Sequence, residues 1–335
     1  MTGTLLADHD AVLLDLDGTV YRGGQLAPGA DEAIAGVREA GVLARFVTNN
    51  ASKPAQAVAD HIRDLGLEAD ADEVSTSAQA GAALLAAQLP AGSKVLVVGS
   101  ESLAGEIDNL GLVPVRRVDE EPVAVVQGHS PDTGWWNLAE ACLAIRGGAT
   151  WVACNSDLTL PTERGQLPGN GAMVTALRAA TGAEPQVAGK PERPLLDRAV
   201  DSAGAQRPLM IGDRLDTDIA GAVTYGMPSL LVLTGVGTPE DALFAPPELR
   251  PGHIAEDMRA LLRPSAESAV GEHEAWKVRV GERALELSAN SAASADRLTA
   301  LRALCAAWWP VGSGRIAVQA GDARAEQALR ELGLA

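Results

Sequence analysis

The stretch Ala11-Val12-Leu13-Leu14-Asp15-Leu16-Asp17-Gly18-Thr19 runs four apolar residues directly into two acids and a glycine. Four consecutive apolar residues stopping at a turn signal read as a strand buried on both faces. Asp15 then stands at the strand end, and Asp17 leaves on the turn with Gly18. Working outward, the spacing predicts a helix over 30–40, a second apolar strand over 42–48 ending at Asn49-Asn50, and a helix over 54–65 stopped by Gly66. Strand and helix alternate, the pattern of a parallel, doubly wound α/β sheet.

Further strands are expected over 94–99, 123–127 and 150–155, with helices over 102–110 and 137–146. After Pro185 the alternation resumes, with strands over 186–188, 208–211 and 229–233 and helices over 194–203 and 216–225. A single run of strand-end motifs split between the flanks of a second alternating set points to an insertion. The expected fold is therefore a Rossmann-like core, 1–81 and 185–262, carrying an inserted α/β cap over 82–184. A Pro- and Gly-bearing linker over 264–271 leads to a small C-terminal α+β domain, 270–335, with strands over 276–280, 284–288 and 315–320 and helices over 296–309 and 323–332.

With 335 residues, 47% of them apolar, the chain can bury more than one core. The excess of 44 acidic over 27 basic residues, a formal charge of −17, repels nucleic-acid phosphates and anionic membrane surfaces, so neither partner is expected. Cys142, Cys154 and Cys305 form no C-x-x-C pair, which argues against a zinc site or a disulfide framework. The N-terminus has no basic region followed by a long apolar run, so a cytoplasmic location is expected.

Chemistry gathers at the ends of the expected strands. A carboxylate attacks phosphorus competently when a divalent cation screens its repulsion from the phosphate, so Asp15 suits a nucleophile and Asp17 the acid and base beside it. In Thr48-Asn49-Asn50 a hydroxyl and successive N–H groups suit phosphate oxygens, and Lys190 in Gly189-Lys190-Pro191 offers a point charge. Asp213 and Asp218 follow another apolar strand and offer hard oxygen ligands of the kind magnesium takes. Taken singly, each loop also reads as an ordinary turn or cap. Four acid-bearing or phosphate-binding loops after parallel strands share no such explanation, and the carboxyl edge of those strands is where α/β proteins bind ligands.

These residues resemble the haloacid dehalogenase superfamily of phosphatases: DLDGT at 15–19, Thr48 within VTNN, Lys190 within GKP, and GDRLDTD at 212–218. DLDGTVYRGG, FVTNNASK, PGNGAMV, VAGKP and IGDRLDTDIAGA are similar to its NagD-like branch of 4-nitrophenylphosphatases, phosphoglycolate phosphatases and glycerol-3-phosphate phosphatases, over residues 8–260. The resemblance implies Mg2+ held by Asp15, Asp17 through its backbone carbonyl, and Asp213. It implies Asp15 as nucleophile, Asp17 as acid/base, Thr48 and Lys190 on the phosphoryl group, and Asp218 behind them orienting Lys190 or metal-bound water. Asn49, Asn50 and Ala51 would form the floor beneath the leaving group, and the cap loop 157–161 would present Asp157, Thr159 and Leu160 to substrate. Relatives often carry Gly-x-Asp where this chain has Gly128-His129-Ser130, which opens the cap contacts to question.

His129 reads either as a substrate ligand or, more simply, as a turn residue. Trp135 and Trp136 read as core of the helix that follows, in preference to an exposed aromatic contact. Thr234-Gly235-Val236-Gly237 completes no nucleotide-binding fingerprint and reads as a strand-to-helix turn. The tail resembles part of a GCN5-type acetyltransferase fold without its pyrophosphate loop, which favours packing or oligomerisation. The expected partner is a small phosphorylated metabolite, glycerol 3-phosphate first and 2-phosphoglycolate next, with nucleotide, pyridoxal and sugar phosphates as alternatives. A homo-oligomer formed through the cap or the C-terminal domain is also expected. Haloacid dehalogenases and transport ATPases share the nucleophile without needing Asp17, and a non-catalytic assembly module would not need this set of acids.

Overall fold

The computed structural model describes residues 3–162, 164–290 and 296–335. The chain forms two units, one made of 1–45 with 203–335 and the other of 46–202.

In the first unit, Ala11–Leu14 pairs in parallel with Pro208–Gly212 in the register Val12 to Leu209 and Leu14 to Ile211. Ser229–Val232 follows at the side of Pro208–Gly212, and His253–Ala255 lies beyond it, both parallel. On the far side of Ala11–Leu14 the N–H of Leu43 donates to Asp10 O at 3.1 Å, starting the next strand position. Ala11–Leu14, Pro208–Gly212 and Ser229–Val232 are buried throughout, which is why they read as apolar runs, with Ser229 the one polar residue among them. Helix Ala30–Glu39 buries Ala33, Ile34 and Val37, leaving its charged face outside.

The C-terminal segment of this unit is a three-stranded sheet, with Ala284–Ala289 between an antiparallel Trp276–Val280 and a parallel Ala317–Ala320. Its helix Arg297–Trp308 buries Leu298, Leu301, Leu304 and Cys305 in one cluster with Leu231, Leu243 and Ile254 from the parallel-sheet region. The buried guanidinium of Arg302 donates to Ile254 O at 2.9 Å, and the partly buried one of Arg250 donates to Trp309 O at 2.8 Å and Gly312 O at 2.7 Å. The tail thus shares a core with the parallel sheet, consistent with a segment too small to bury a sufficient core alone.

The second unit is built on a five-stranded parallel sheet in the order Gln186–Val187, Thr150–Ala153, Ala124–Gln127, Lys94–Val98, Val113–Val115. Successive residues point to opposite faces. Val125 and Trp151 pack with Ile145 and Val174 of helices Trp135–Arg146 and Asn170–Thr181, whereas Val126 and Val152 face Gly81 of helix Ser77–Ala86. Phe46 and Thr48 pair with Val74 and Thr76 of a short parallel strand, Val74–Thr76. Beyond the expected elements, the structure adds this strand, helices Ser77–Ala86 and Asn170–Thr181, strand Val113–Val115, and a hairpin of Thr159–Thr162 with Gly165–Pro168.

Trp135 and Trp136 are not core, contrary to the sequence expectation. They are 69% and 75% exposed and form a T-shaped pair with ring centroids 4.6 Å apart. Helix Trp135–Arg146 buries Ala141, Ala144 and Ile145. About two and a half turns separate Trp135 from Ala144 and Trp136 from Ile145, which turns both rings away from the buried stripe. Cys154 and Cys305 are buried and Cys142 is partly so, all as free thiols. Among the described residues no helix is long and apolar enough to cross a membrane.

Candidate active site

In the first unit the carboxylates sit where strands end. Asp15 is held by its N–H donating to Ile211 O at 2.9 Å, and the chain then turns tightly, with the N–H groups of Thr19, Val20 and Tyr21 all donating to Leu16 O. Gly18 adopts φ 97°, and a Cβ there would strike the Asp213 carboxylate, so only glycine fits this turn against that acid. Asp15 is partly buried and Asp17 exposed, which leaves the second carboxylate open to a leaving group or to water. Burial raises the Tyr21 phenol well above its ordinary pKa, and the negative charges of Asp17 and Asp15 add to the shift.

Asp213 is fully buried, and its surroundings are donors. Its Oδ2 accepts from Val236 N–H at 2.7 Å, its Oδ1 accepts from Thr19 Oγ1 at 3.3 Å, and its backbone carbonyl accepts from Gly237 N–H at 2.8 Å. Gly235 lies against the same carboxylate with no room for a side chain. Thr234 completes the clasp by donating to Gly18 O at 2.6 Å. The 234–237 turn, read from sequence as a plain connection, therefore fixes a carboxylate. Its signal was the pair of glycines at a strand end, which marks close backbone approach as well as a bend.

Asp218, also fully buried, sits on a π-helical turn, Leu215–Ile219, that precedes helix Ala220–Tyr225. That turn replaces the start of the helix expected over 216–225, and its carboxylate accepts from Arg214 N–H at 3.1 Å. Asp15, Asp213 and Asp218 each present a carboxylate oxygen within 4.8 Å of the other two. Three negative groups so close repel one another, and two of them are buried. An all-oxygen set of this kind fits a hard divalent cation such as magnesium and offers nothing that selects a soft metal. Asp218, expected from sequence behind the ligands, stands in this group.

In the second unit the expected residues meet around Asn49. Thr48 closes its strand, almost fully buried, and its Oγ1 accepts from Asn50 N–H at 3.1 Å, so its own hydroxyl proton remains to donate. Asn50 Oδ1 accepts from Ser52 N and Oγ, both at 2.8 Å. Ala51 is buried beneath Gly128, where an added Cβ would lie 3.0 Å from that of Ala51. Lys190 is 2% exposed, and its ammonium donates to Val47 O at 3.0 Å. The Asn49 side chain accepts from Lys190 N–H at 2.8 Å and donates to Lys190 O at 3.0 Å and Asp157 Oδ2 at 3.2 Å. Thr159 and Leu160 begin the hairpin beyond Asp157, Thr159 exposed and Leu160 partly buried. His129, next to Gly128, is partly buried, and that burial lowers its pKa below the ordinary imidazole value.

Comparison with known proteins matches residues 12–113 to the haloacid dehalogenase-like hydrolase family, 187–261 to a second HAD-hydrolase-like model, and 273–334 to a GCN5-related N-acetyltransferase like domain. The chain is 48% identical over 341 aligned positions to the D-glycerol 3-phosphate phosphatase of Mycobacterium tuberculosis, covering 99% of this chain and 96% of that one. The chain belongs to the haloacid dehalogenase-like hydrolases. A crystal structure of the M. tuberculosis glycerol phosphate phosphatase in complex with magnesium superposes with a TM-score of 0.95 over 100% of both chains. An acid sugar phosphatase of Staphylococcus aureus is 37% identical over 70% of this chain and 91% of its own length. A p-nitrophenyl phosphatase of Archaeoglobus fulgidus, 29% identical, matches 76% of this chain and 98% of its own with a TM-score of 0.71. The resemblance read from DLDGT, VTNN, GKP and GDRLDTD is borne out, including its NagD-like branch. As a hydrolase of this family, the protein is a phosphatase with an α/β core and a small α+β segment at its C-terminus.

Proposed function

We propose that this phosphatase hydrolyses glycerol 3-phosphate through an aspartyl-phosphate on Asp15, with magnesium as cofactor. The observation that carries the reading is the approach of the Asp15, Asp213 and Asp218 carboxylates to within 4.8 Å of one another. Magnesium bound by Asp15, the Asp17 backbone carbonyl and Asp213 would screen the repulsion between carboxylate and phosphate. Asp218 stands with these ligands, fixed by Arg214. Asp15 attacks phosphorus and Asp17 protonates the departing alkoxide. Asp17 then takes a proton from the water that cleaves the aspartyl-phosphate. Thr48 supplies a hydroxyl and Lys190 an ammonium to the phosphoryl oxygens, whose negative charge both stabilise.

The substrate choice rests on the glycerol phosphate phosphatase relative and on the small side chains at Ala51 and Thr159. Asn49, Asn50 and Ala51 form the floor and Asp157, Thr159 and Leu160 the cap contacts, with 82–184 as the cap. The acid sugar phosphatase relative supports sugar phosphates as the second reading. Phosphate release with magnesium is to be measured across glycerol 3-phosphate, 2-phosphoglycolate, sugar, nucleotide and pyridoxal phosphates. The expected result is the highest kcat/KM for glycerol 3-phosphate and none with EDTA; a higher value for a sugar phosphate transfers the assignment, and no release from any substrate leaves an assembly module.

We also infer action in the cytoplasm and association of two copies through helix Trp135–Arg146. Trp135, Trp136 and Leu143 are exposed on this helix, and Arg146 ends it. An antiparallel two-fold pairing would set the indoles of one copy beside Arg146 of the other. Sedimentation should give a dimer that Trp135→Ala with Trp136→Ala converts to monomer; a monomeric wild-type chain contradicts it.

A further inference from the structure

Asn170 does more than begin a helix. It is 1% exposed, and its Nδ2 donates to Asn155 O at 2.7 Å and Gln127 O at 3.3 Å. Reversing the amide would set its oxygen against those two carbonyls. The observed orientation leaves Asn170 Oδ1 buried without a hydrogen-bond partner among the described residues, as is Gln127 Nε2. An orphaned buried acceptor is destabilising, so this position retains its donor against a folding cost.

The donor grips one loop. Gly169 N–H donates to Leu158 O and Gly171 N–H to Asp157 O, both at 2.9 Å, while Asn170 holds Asn155 O. The loop backbone lies so close to Gly171 that a Cβ there would collide with Ser156 O. Three donors in three successive residues thus pin the carbonyls of 155, 157 and 158. From the pinned loop, Asn155 Nδ2 donates to Asn49 O at 2.7 Å, and Asn155 Oδ1 accepts from Asp157 N–H at 3.2 Å. Ser77 Oγ donates to the same Asn49 carbonyl at 2.6 Å. Asn49 in turn holds the backbone of Lys190 on both sides, N–H and carbonyl.

We infer that Asn170 is a positioning residue for Lys190, acting through Asn155 and Asn49, so that one run of amides sets the Asp157 loop and the lysine together. The inference rests on the reading of Lys190 as the ammonium that holds the phosphoryl group. Asn170→Ala removes the grip on the loop. Asn155→Asp keeps the acceptor for Asp157 N–H but removes the donor to Asn49.

The test measures kcat, KM and inhibition by inorganic phosphate on the full chain with magnesium and glycerol 3-phosphate, for both variants and the double variant, with thermal midpoints alongside. Misplacing a catalytic group by about an ångström costs up to about a hundredfold. Each single variant should therefore lose tenfold to a hundredfold in kcat and weaken phosphate inhibition in parallel. Because both act on one path, the double variant should be no worse than the poorer single one. Losses that multiply in the double variant, kcat within threefold of wild type, or reduced kcat with unchanged phosphate inhibition overturn it. If Asn170→Ala does not fold, Asn155→Asp decides by the same kcat and phosphate criteria. Wild-type protein that releases no phosphate overturns the functional reading and this inference with it, whereas active wild-type protein with unaffected variants overturns this inference alone.

Discussion

The acid pocket of the first unit and the amide lattice of the second hold their groups by different means. Around Asp213 the partners are mainly backbone: Val236 and Gly237 donate N–H groups, and Gly18 and Gly235 surrender their side-chain volume to let the carboxylate in. Around Lys190 the ammonium donates to the backbone of Val47, while the lysine's own backbone is held by side chains, with Asn49, Asn155 and Asn170 in series. A carboxylate buried among like charges needs many fixed donors, and backbone supplies them without side-chain entropy. On the proposed function the Asp157 loop meets the leaving group, and side chains suit such a loop because substitution can retune them without rebuilding a strand.

The contrast predicts a graded response. Asp15→Asn removes the proposed nucleophile and should lower turnover at least about 10⁴-fold, with an unchanged circular dichroism spectrum. Gly235→Ala pushes on the Asp213 carboxylate and should cost about a hundredfold in kcat with a higher magnesium requirement, measured by titrating metal against phosphate release. Should Gly235→Ala behave like wild type, the backbone clasp is not what fixes the acid. Asn49→Ala frees Lys190 from its two backbone contacts and should cost about ten- to thirtyfold in kcat at an unchanged magnesium requirement, which would separate lattice from pocket. Thr159→Ala should change the preference between glycerol 3-phosphate and 2-phosphoglycolate by only about three- to tenfold in kcat/KM.

Much of the acid pocket of the first unit was legible in sequence because its carboxylates follow apolar strands, and both features are local. Asp15 and Asp213 are placed by reading where a buried run stops and Asp17 by the turn that follows, whereas Lys190, in the second unit, is placed by its Gly-Lys-Pro setting after a two-residue strand, Gln186–Val187. The clasp at 234–237 was not found, since a Gly-x-Gly turn looks the same whether it bends the chain or admits a carboxylate. The lattice was less legible still. Asn155 and Asn170 are separated from Asn49 by about a hundred residues of other elements, and a buried asparagine carries no periodic signal. Helix Ser77–Ala86 escaped because its alanine-rich, nearly all-round burial leaves no amphipathic stripe to count. Trp135 and Trp136 misled for the opposite reason: apolar size suggested core, and only their angle to Ala144 and Ile145 turns them to solvent.

The proposed reaction requires that Asp15 become phosphorylated. The direct measurement is borohydride reduction of the enzyme during turnover of glycerol 3-phosphate with magnesium, followed by peptide mass spectrometry, because reduction converts an aspartyl-phosphate to homoserine. Homoserine at position 15, absent when EDTA replaces magnesium, is the predicted result. Homoserine at another aspartate with Asp15 intact during steady turnover would contradict it.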